Sequence, residues 1–442
     1  MTVPLADLAR DADVRALRDA LSEASTLEVA DELPRLSPDE RAVVFRLLPK
    51  GRAVRVFEAL DPAIQQELLD GLREGRAREL VEALDPDDRA RLLDEMPAMV
   101  AQRLLAGLSP GERAATAALL GYPEGSAGRM MSPEVVHLRA SLTAAEALAR
   151  VRTLGRRAET LYALPVTDDE RRLLGVVELR DLVLAEPGTR IIDLMGPEVH
   201  RAAVTDDQED AARLIQEADL VALPVIDGEE RLVGIITVDD AMAVLEREAS
   251  EDIARGAGTE PLDRPYLSSS ILFLARTRAV WLLALILAAT LTVNVLDAFE
   301  GTLAEVVTLA LFIPLLIGTG GNAGAQSATT VVRAMAVGEV RFSDLGRVVL
   351  REVRVGMLLG AIIAAVGFGP AALFAGRDIA TVLCVSLLLV VTWATLAGSL
   401  LPLLARRIGL DPAVVSAPLI TTLVDATGLV IYFLVARAVL GI

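Results

Sequence analysis

The chain has few of the side chains that carry most metal and redox chemistry. Among 442 residues there is one cysteine, Cys384, and there are two histidines, His137 and His200. A single thiol excludes an internal disulfide framework and a thiolate zinc site, and two imidazoles exclude most histidine-based metal or acid–base chemistry. Any metal handled here must be held by oxygen, which points to hard ions such as Mg²⁺ or Ca²⁺. Lysine is almost missing too, Lys50 being the one example, and with the high Ala and Leu content this reads as genome composition. Met1 to Arg15 contain no apolar h-region. A cleavable signal is therefore not expected, and the soluble half is expected in the cytoplasm.

Charge is unevenly spread. Residues 279–442 hold nine acids and nine bases, so the net charge of −18 falls on residues 1–278, where 52 acids face 34 bases. Such a surface repels phosphate and lacks a basic stripe, which argues against nucleic acid as a partner and suits divalent cations. For any single carboxylate, ordinary solvated charge is the plainer account.

Five apolar stretches follow, at roughly 279–296, 306–332, 355–376, 379–405 and 413–436. Each is near the ~20 residues that span hydrocarbon. Arg276, Arg278, Arg333, Arg341, Arg347, Arg351, Arg354, Arg406 and Arg407 fall on one side of these spans, against Arg377 and Arg437 on the other. That bias predicts the N-terminus inside and the C-terminus outside.

Two features of this half exceed what spanning needs. The second stretch holds Gly318, Gly320, Gly321, Asn322, Gly324, Gln326 and Ser327. This is poor lipid-facing helix, expected to pack on protein or line a cavity. The fifth carries Asp425 near its middle, with no base in the span placed to neutralise it. A charged Asp at a helix centre costs roughly 2.5–3.5 kcal/mol on insertion scales. Thr421, Thr422, Gly428 and Tyr432 share its face. The expected role is a carboxylate on a wet pore, with a hydrogen-bonded packing Asp as the alternative.

The first half is built of repeats. Ser37-Pro38, Asp61-Pro62, Asp85-Pro86 and Ser109-Pro110 recur every 24 residues, each an N-cap type followed by Pro at the first helical position. An all-α superhelical domain over 1–128 is predicted. A second repeat follows. Met131-Ser-Pro-Glu-Val returns from Met195, Leu164-Pro-Val-Thr-Asp returns from Leu223, and Gly175 to Asp181 returns from Gly234 to Asp240. Each copy reads helix, strand, turn, strand, helix. These copies resemble a pair of cystathionine β-synthase-type (CBS) domains, 129–193 and 194–247, of α/β character. The resemblance implies an adenine nucleotide such as ATP, held by a Thr and an Asp three residues later. Thr237 and Asp240 fit, whereas Glu178 stands in place of the Thr in the first copy, so at most one site is expected.

Helical repeat, CBS pair, acidic connecting helix (248–275) and five-helix transmembrane domain (276–442), together with Gly320-Gly321-Asn322-Ala323-Gly324-x-Gln326-Ser327 and Asp425-x-Thr427-Gly428, resemble the MgtE family over essentially the whole chain. The resemblance implies a multidomain membrane homodimer that conducts Mg²⁺, with Asp425 of each subunit on a hydrated ion and Asn322, Thr421, Thr422 and Gly428 lining its path. It further implies closure when cytoplasmic Mg²⁺ binds acids of the soluble half. By position these are Asp207, Glu209, Asp219 and Asp240 of the CBS pair, Glu248, Glu251 and Asp252 of the connecting (plug) helix, and Asp411 before the last span. Asp87 and Asp88 are candidates from the helical domain. Ala325, Ala417 and Ala243 depart from the family pattern, where Asn, Asn and an acid are usual. No enzymatic constellation is found. The alternatives are a channel for Mn²⁺, Co²⁺ or Ca²⁺, and a membrane-anchored Mg²⁺ or adenylate sensor without transport.

Overall fold

Proline at a helix start sacrifices no hydrogen bond, and among the described residues four α-helices begin that way. Pro38–Leu47, Pro62–Gly71, Pro86–Asp94 and Pro110–Leu120 each open on a Ser-Pro or Asp-Pro step. The computed structural model describes residues 5–10, 14–196, 198–262 and 266–442. It divides into two compact units, Met1–Glu248 with Leu262–Ser269, and Ala249–Pro261 with Ser270–Ile442.

In the first unit, a second helix completes the first three 24-residue repeats: Lys50–Glu58, Glu74–Glu82 and Ala98–Gly107. Ser37 and Ser109 cap their helices by accepting the Glu40 and Glu112 amides, but Asp61 and Asp85, in the same place, make no side-chain cap. The repeats are stitched by side chains at one recurring position. Arg41 Nε donates to the Leu33 carbonyl (3.0 Å), Gln65 Nε2 to Phe57 (2.7 Å) and Arg89 Nε to Val81 (2.9 Å). Both arginines are 1% exposed. Glu67 and Glu112 pair with them, as a buried guanidinium requires.

The CBS copies each form a three-stranded sheet. β1 (Leu138–Arg139) pairs parallel with β2 (Ala163–Thr167), which pairs antiparallel with β3 (Leu173–Glu178). β4 (Ala202–Ala203), β5 (Ala222–Ile226) and β6 (Leu232–Thr237) repeat this, down to the same irregularity near the end of the central strand. The copies exchange their leading segments. A Cβ on Gly234 would lie 2.6 Å from Met131 Sδ, and one on Gly175 would lie 2.7 Å from Met195 Sδ. Ser132 bonds with Ile235, and Ala127 and Met131 sit in the core of the second copy. The stretch from 126 to 132 thus belongs spatially to the second copy, unlike the contiguous 129–193 and 194–247 read from sequence.

The connecting helix also differs from expectation. It spans Val238–Gly256, continuing from β6, and does not run from 248 to 275. Its end is set by Gly258 at φ 71°, with Gly258 N bonded to the Arg255 carbonyl and Thr259 N to Ala254. This is a Schellman stop, and the left-handed residue has to be glycine-like.

Among the described residues the second unit has five helices long and apolar enough to cross a membrane: Ile271–Ala298, Val307–Ala336, Phe342–Ala375, Arg377–Arg407 and Ala417–Leu440. They are called the first to fifth spans. All five predicted stretches lie largely within them, and several helices extend further because charged ends such as Arg347 to Arg354 remain helical outside an apolar core.

Candidate functional site

Glycine brings the second, fourth and fifth spans together. The Gly-rich stretch stays helical within Ile313–Ala336. A Cβ on Gly320 would lie 2.8 Å from Val390 Cγ1, one on Gly321 2.6 Å from Thr421 Cγ2, and one on Gly324 2.9 Å from Ile420 Cγ2. On Gly398 it would lie 2.3 Å from the Gly324 carbonyl oxygen. These glycines therefore serve close helix contact. Asn322, on the other side of that helix, is exposed.

Asp425 sits on the fifth span, partly exposed, with Oδ1 buried and, among the described residues, without a hydrogen-bond partner. Around it Thr421 and Thr422 turn their hydroxyls back to Ala417 and Pro418 (both 2.9 Å), so their second valences stay available. Gly428 is buried against Val390. Tyr432, placed on the same stripe by spacing, instead donates to the Leu309 carbonyl at 3.0 Å and is fully buried. It is structural. Deeper in the bundle, Ser327 Oγ lies 2.8 Å from Glu352 Oε2 and 2.8 Å from the Thr395 carbonyl, a junction of three spans.

The first unit holds an acidic constellation drawn from both of its halves. Glu58, Asp85 and Asp88 bring carboxylate oxygens within 4.8 Å of one another. Beside them Asp87, 7% exposed, has a buried oxygen lacking a partner among the described residues. A cavity of about 440 Å³ is lined by Asp87, Asp94, Glu124, Gln208, Asp240 and Arg247, among others. The carboxyls are held unusually basic. Burial, then the charges of Asp88 and Asp85, raises Glu58 to about 7. Burial, then Asp85, raises Glu159 to about 7, and burial raises Asp240 to about 6. Asp87 is pushed well up by burial, then by Asp240 and Asp88. Arg91 pairs with Asp88 and Arg129 with Asp94, and the remaining crowded carboxyls, one with an orphaned buried oxygen, fit a hard cation.

The remaining predicted residues are engaged otherwise. Asp207 caps its helix by accepting the Glu209 amide (2.8 Å), and Glu209 pairs with Arg213. Asp219 is an exposed left-handed turn residue. Glu248 accepts from Gln208 Nε2 at 3.1 Å. Glu251 and Asp411 both meet Arg255. Asp252 lies beside Glu251 on the connecting helix. Thr237 donates to Asp240 Oδ2 at 2.7 Å, so the aspartate is shared between the nucleotide pattern and the acidic cavity. Sequence reasoning passed over Glu58, Asp85, Glu159 and Arg255.

A five-span bundle with an embedded acid, preceded by helical repeats and a CBS pair, is the architecture of a regulated membrane transporter. Family models match in the same order: the MgtE intracellular N domain over 24–125, CBS domains over 127–188 and 191–247, and the MgtE divalent cation transporter domain over 313–435. The magnesium transporter MgtE of Thermus thermophilus is 42% identical over 443 residues, covering 100% of this chain and 98% of that one. The magnesium transporter MgtE of Enterococcus faecalis is 38% identical across 72% of this chain and 70% of its own. The chain belongs to the MgtE family, a family of transporters and not a class of enzymes. Among solved structures, the cytosolic domain of the Mg²⁺ channel MgtE in complex with ATP is 40% identical with a TM-score of 0.52, matching 55% of this chain and 100% of that one.

Proposed function

We propose that this chain carries Mg²⁺ into the cell down its electrochemical gradient, as a homodimeric channel in the cell membrane closed by cytoplasmic Mg²⁺. It does no enzymatic chemistry. The carrying observation is the Asp425 oxygen, buried on a membrane helix and unpartnered among the described residues. A cation on the path offsets that cost, and a largely hydrated Mg²⁺ needs only an acid and a few oxygens. Asn322, Thr421, Thr422 and Gly428 line this path in our reading. The arginine bias supports an N-terminus inside and a C-terminus outside. Functionally we divide the chain into 1–128 and the CBS pair 129–193 and 194–247 as sensor, 248–275 as plug segment and 276–442 as pore.

Regulatory Mg²⁺ would be held by Asp87, Asp88, Asp240, Glu58 and Asp85. The acids Asp207, Glu209, Asp219, Glu248, Glu251, Asp252 and Asp411 would contribute as the soluble half closes. The second reading, another divalent ion such as Mn²⁺, Co²⁺ or Ca²⁺, draws on Ala325 and Ala417, which lack the side-chain amides usual at those two positions. Flux through the purified chain in liposomes decides: Asp425→Ala should lose Mg²⁺ flux while keeping its elution profile and melting point. Unchanged flux in a well-folded Asp425→Ala protein sinks the pore assignment.

We also propose one adenine nucleotide per chain, held by Thr237 and Asp240. ATP titration should give at most one site, weakened by Asp240→Ala. Two equal sites would overturn the exclusion of Glu178.

A further inference from the structure

The end of the connecting helix is clasped by elements of its own unit at three points. Arg255 pairs with Glu251, one turn back on the same helix, and with Asp411, 156 residues on, just ahead of the fifth span. Gly258 lies against that span's first turn, where a Cβ would sit 3.2 Å from Pro418 Cγ and 3.5 Å from Ser416 Oγ. Glu260 accepts the Trp281 indole at 3.0 Å from the first span. Asp411 is fixed independently, since its Oδ1 accepts the Ala413 amide at 2.8 Å.

A solvated intrahelical pair is worth little, and Glu251 with Arg255 alone would be one. Here, however, the guanidinium forks between two carboxylates of separate segments, at a part-buried place where Gly258 also packs on the first turn of the fifth span. Its planar donors suit that bridging, which a single ammonium performs less well. Without it, Glu251 and Asp411 would be like charges brought together. A bound divalent ion could relieve that repulsion. The chain relieves it with a residue of its own.

We infer that Arg255 is a resident cation of the gate, holding the connecting helix on the fifth-span entrance where two acids would otherwise need a metal ion. The inference rests on the channel reading above and concerns how closure is set. Part of the closed state is then independent of Mg²⁺, and the metal-dependent part rests mainly on the other regulatory acids, to which Glu251 and Asp411 add only the oxygens that the arginine leaves open.

The test is Mg²⁺ flux through the full chain in liposomes, with Mg²⁺ on the cytoplasmic face varied from none to millimolar. Arg255→Gln should conduct more than the unaltered chain without internal Mg²⁺, and its half-closing concentration should rise by about fivefold, the scale of one modest ion pair. Arg255→Lys should fall between, because one ammonium does not fork as the guanidinium does. The exchange Arg255→Asp with Asp411→Arg should restore closure towards the original, which a merely structural contact would not explain. If Arg255→Gln is poorly folded by melting, the lysine variant and the exchange carry the comparison. Gating identical to the unaltered chain in Arg255→Gln overturns the inference. A lowered half-closing concentration also overturns it, since the arginine would then be blocking a metal site. Absence of flux in every protein, the unaltered chain included, would instead overturn the channel reading.

Discussion

Glu58, Asp85, Asp88, Asp87, Glu159 and Asp240 come from distant parts of the chain, and their crowding, with Asp87 buried among them, favours a proton or a cation. Glu58 and Glu159 titrate at about 7 when folded, Asp240 at about 6. Unfolded, such groups titrate near ~4. Between about pH 4 and pH 7 the folded unit therefore binds more protons than the unfolded chain, so stability falls as pH rises through that window. We expect the melting point of the metal-free protein to rise by a few degrees from pH 7.5 to 5.5. Millimolar Mg²⁺ should flatten that slope by supplying the missing charge. An equal slope with and without Mg²⁺, read by differential scanning calorimetry, would separate the acids from any metal. Asp425 was legible in the sequence because a lone acid in an apolar run has few explanations. The acidic constellation was not, because 52 acids in one half give no contrast. Nor was Arg255 legible, since its partner Asp411 is 156 residues away.

Helix starts were legible because Ser-Pro and Asp-Pro act locally. The turn at Gly258 and the exchange of the Met131 and Met195 segments were not, because both depend on what lies across a contact. A sequence repeat defines copies in order, and packing then decides which copy each segment joins. The Gly-rich second span carried both readings, packing and path, and the structure bears on the first. Gly320, Gly321 and Gly324 pack, while Asn322 faces away. Gly398→Ala places a carbon 2.3 Å from a backbone oxygen of the second span, so those two spans must part. Overpacking of this kind costs typically ~1–3 kcal/mol. We expect lower thermal stability in detergent and reduced flux. Gly318→Ala, with nothing within 4 Å, should leave both near the original. Equal effects of the two substitutions would remove the packing argument.

At the scale of the whole molecule the governing quantity is charge. Residues 1–278 hold 52 acids against 34 bases, while the membrane half is neutral. Like charges 4 Å apart repel by about 4 kcal/mol at an effective dielectric of 20, and by about 1 kcal/mol in bulk water. Crowded carboxylates should therefore loosen the sensor when divalent ions are absent and draw it together when they are present. A ligand shifts such an equilibrium only by binding one state better. We expect millimolar Mg²⁺ to protect the chain from proteolysis around residues 245–260. Neutralising Glu248, Glu251 and Asp252 together should remove much of that protection and leave the channel conducting at high internal Mg²⁺. The informative control is KCl at matched ionic strength, which screens charge within the Debye length of ~10 Å at 0.1 M yet bridges no two carboxylates. If KCl protects as well as Mg²⁺, the acidic half responds to screening alone and coordination has no part in closure. Protection by Mg²⁺ alone ties the charge of the soluble half to a sensor that binds its own cargo.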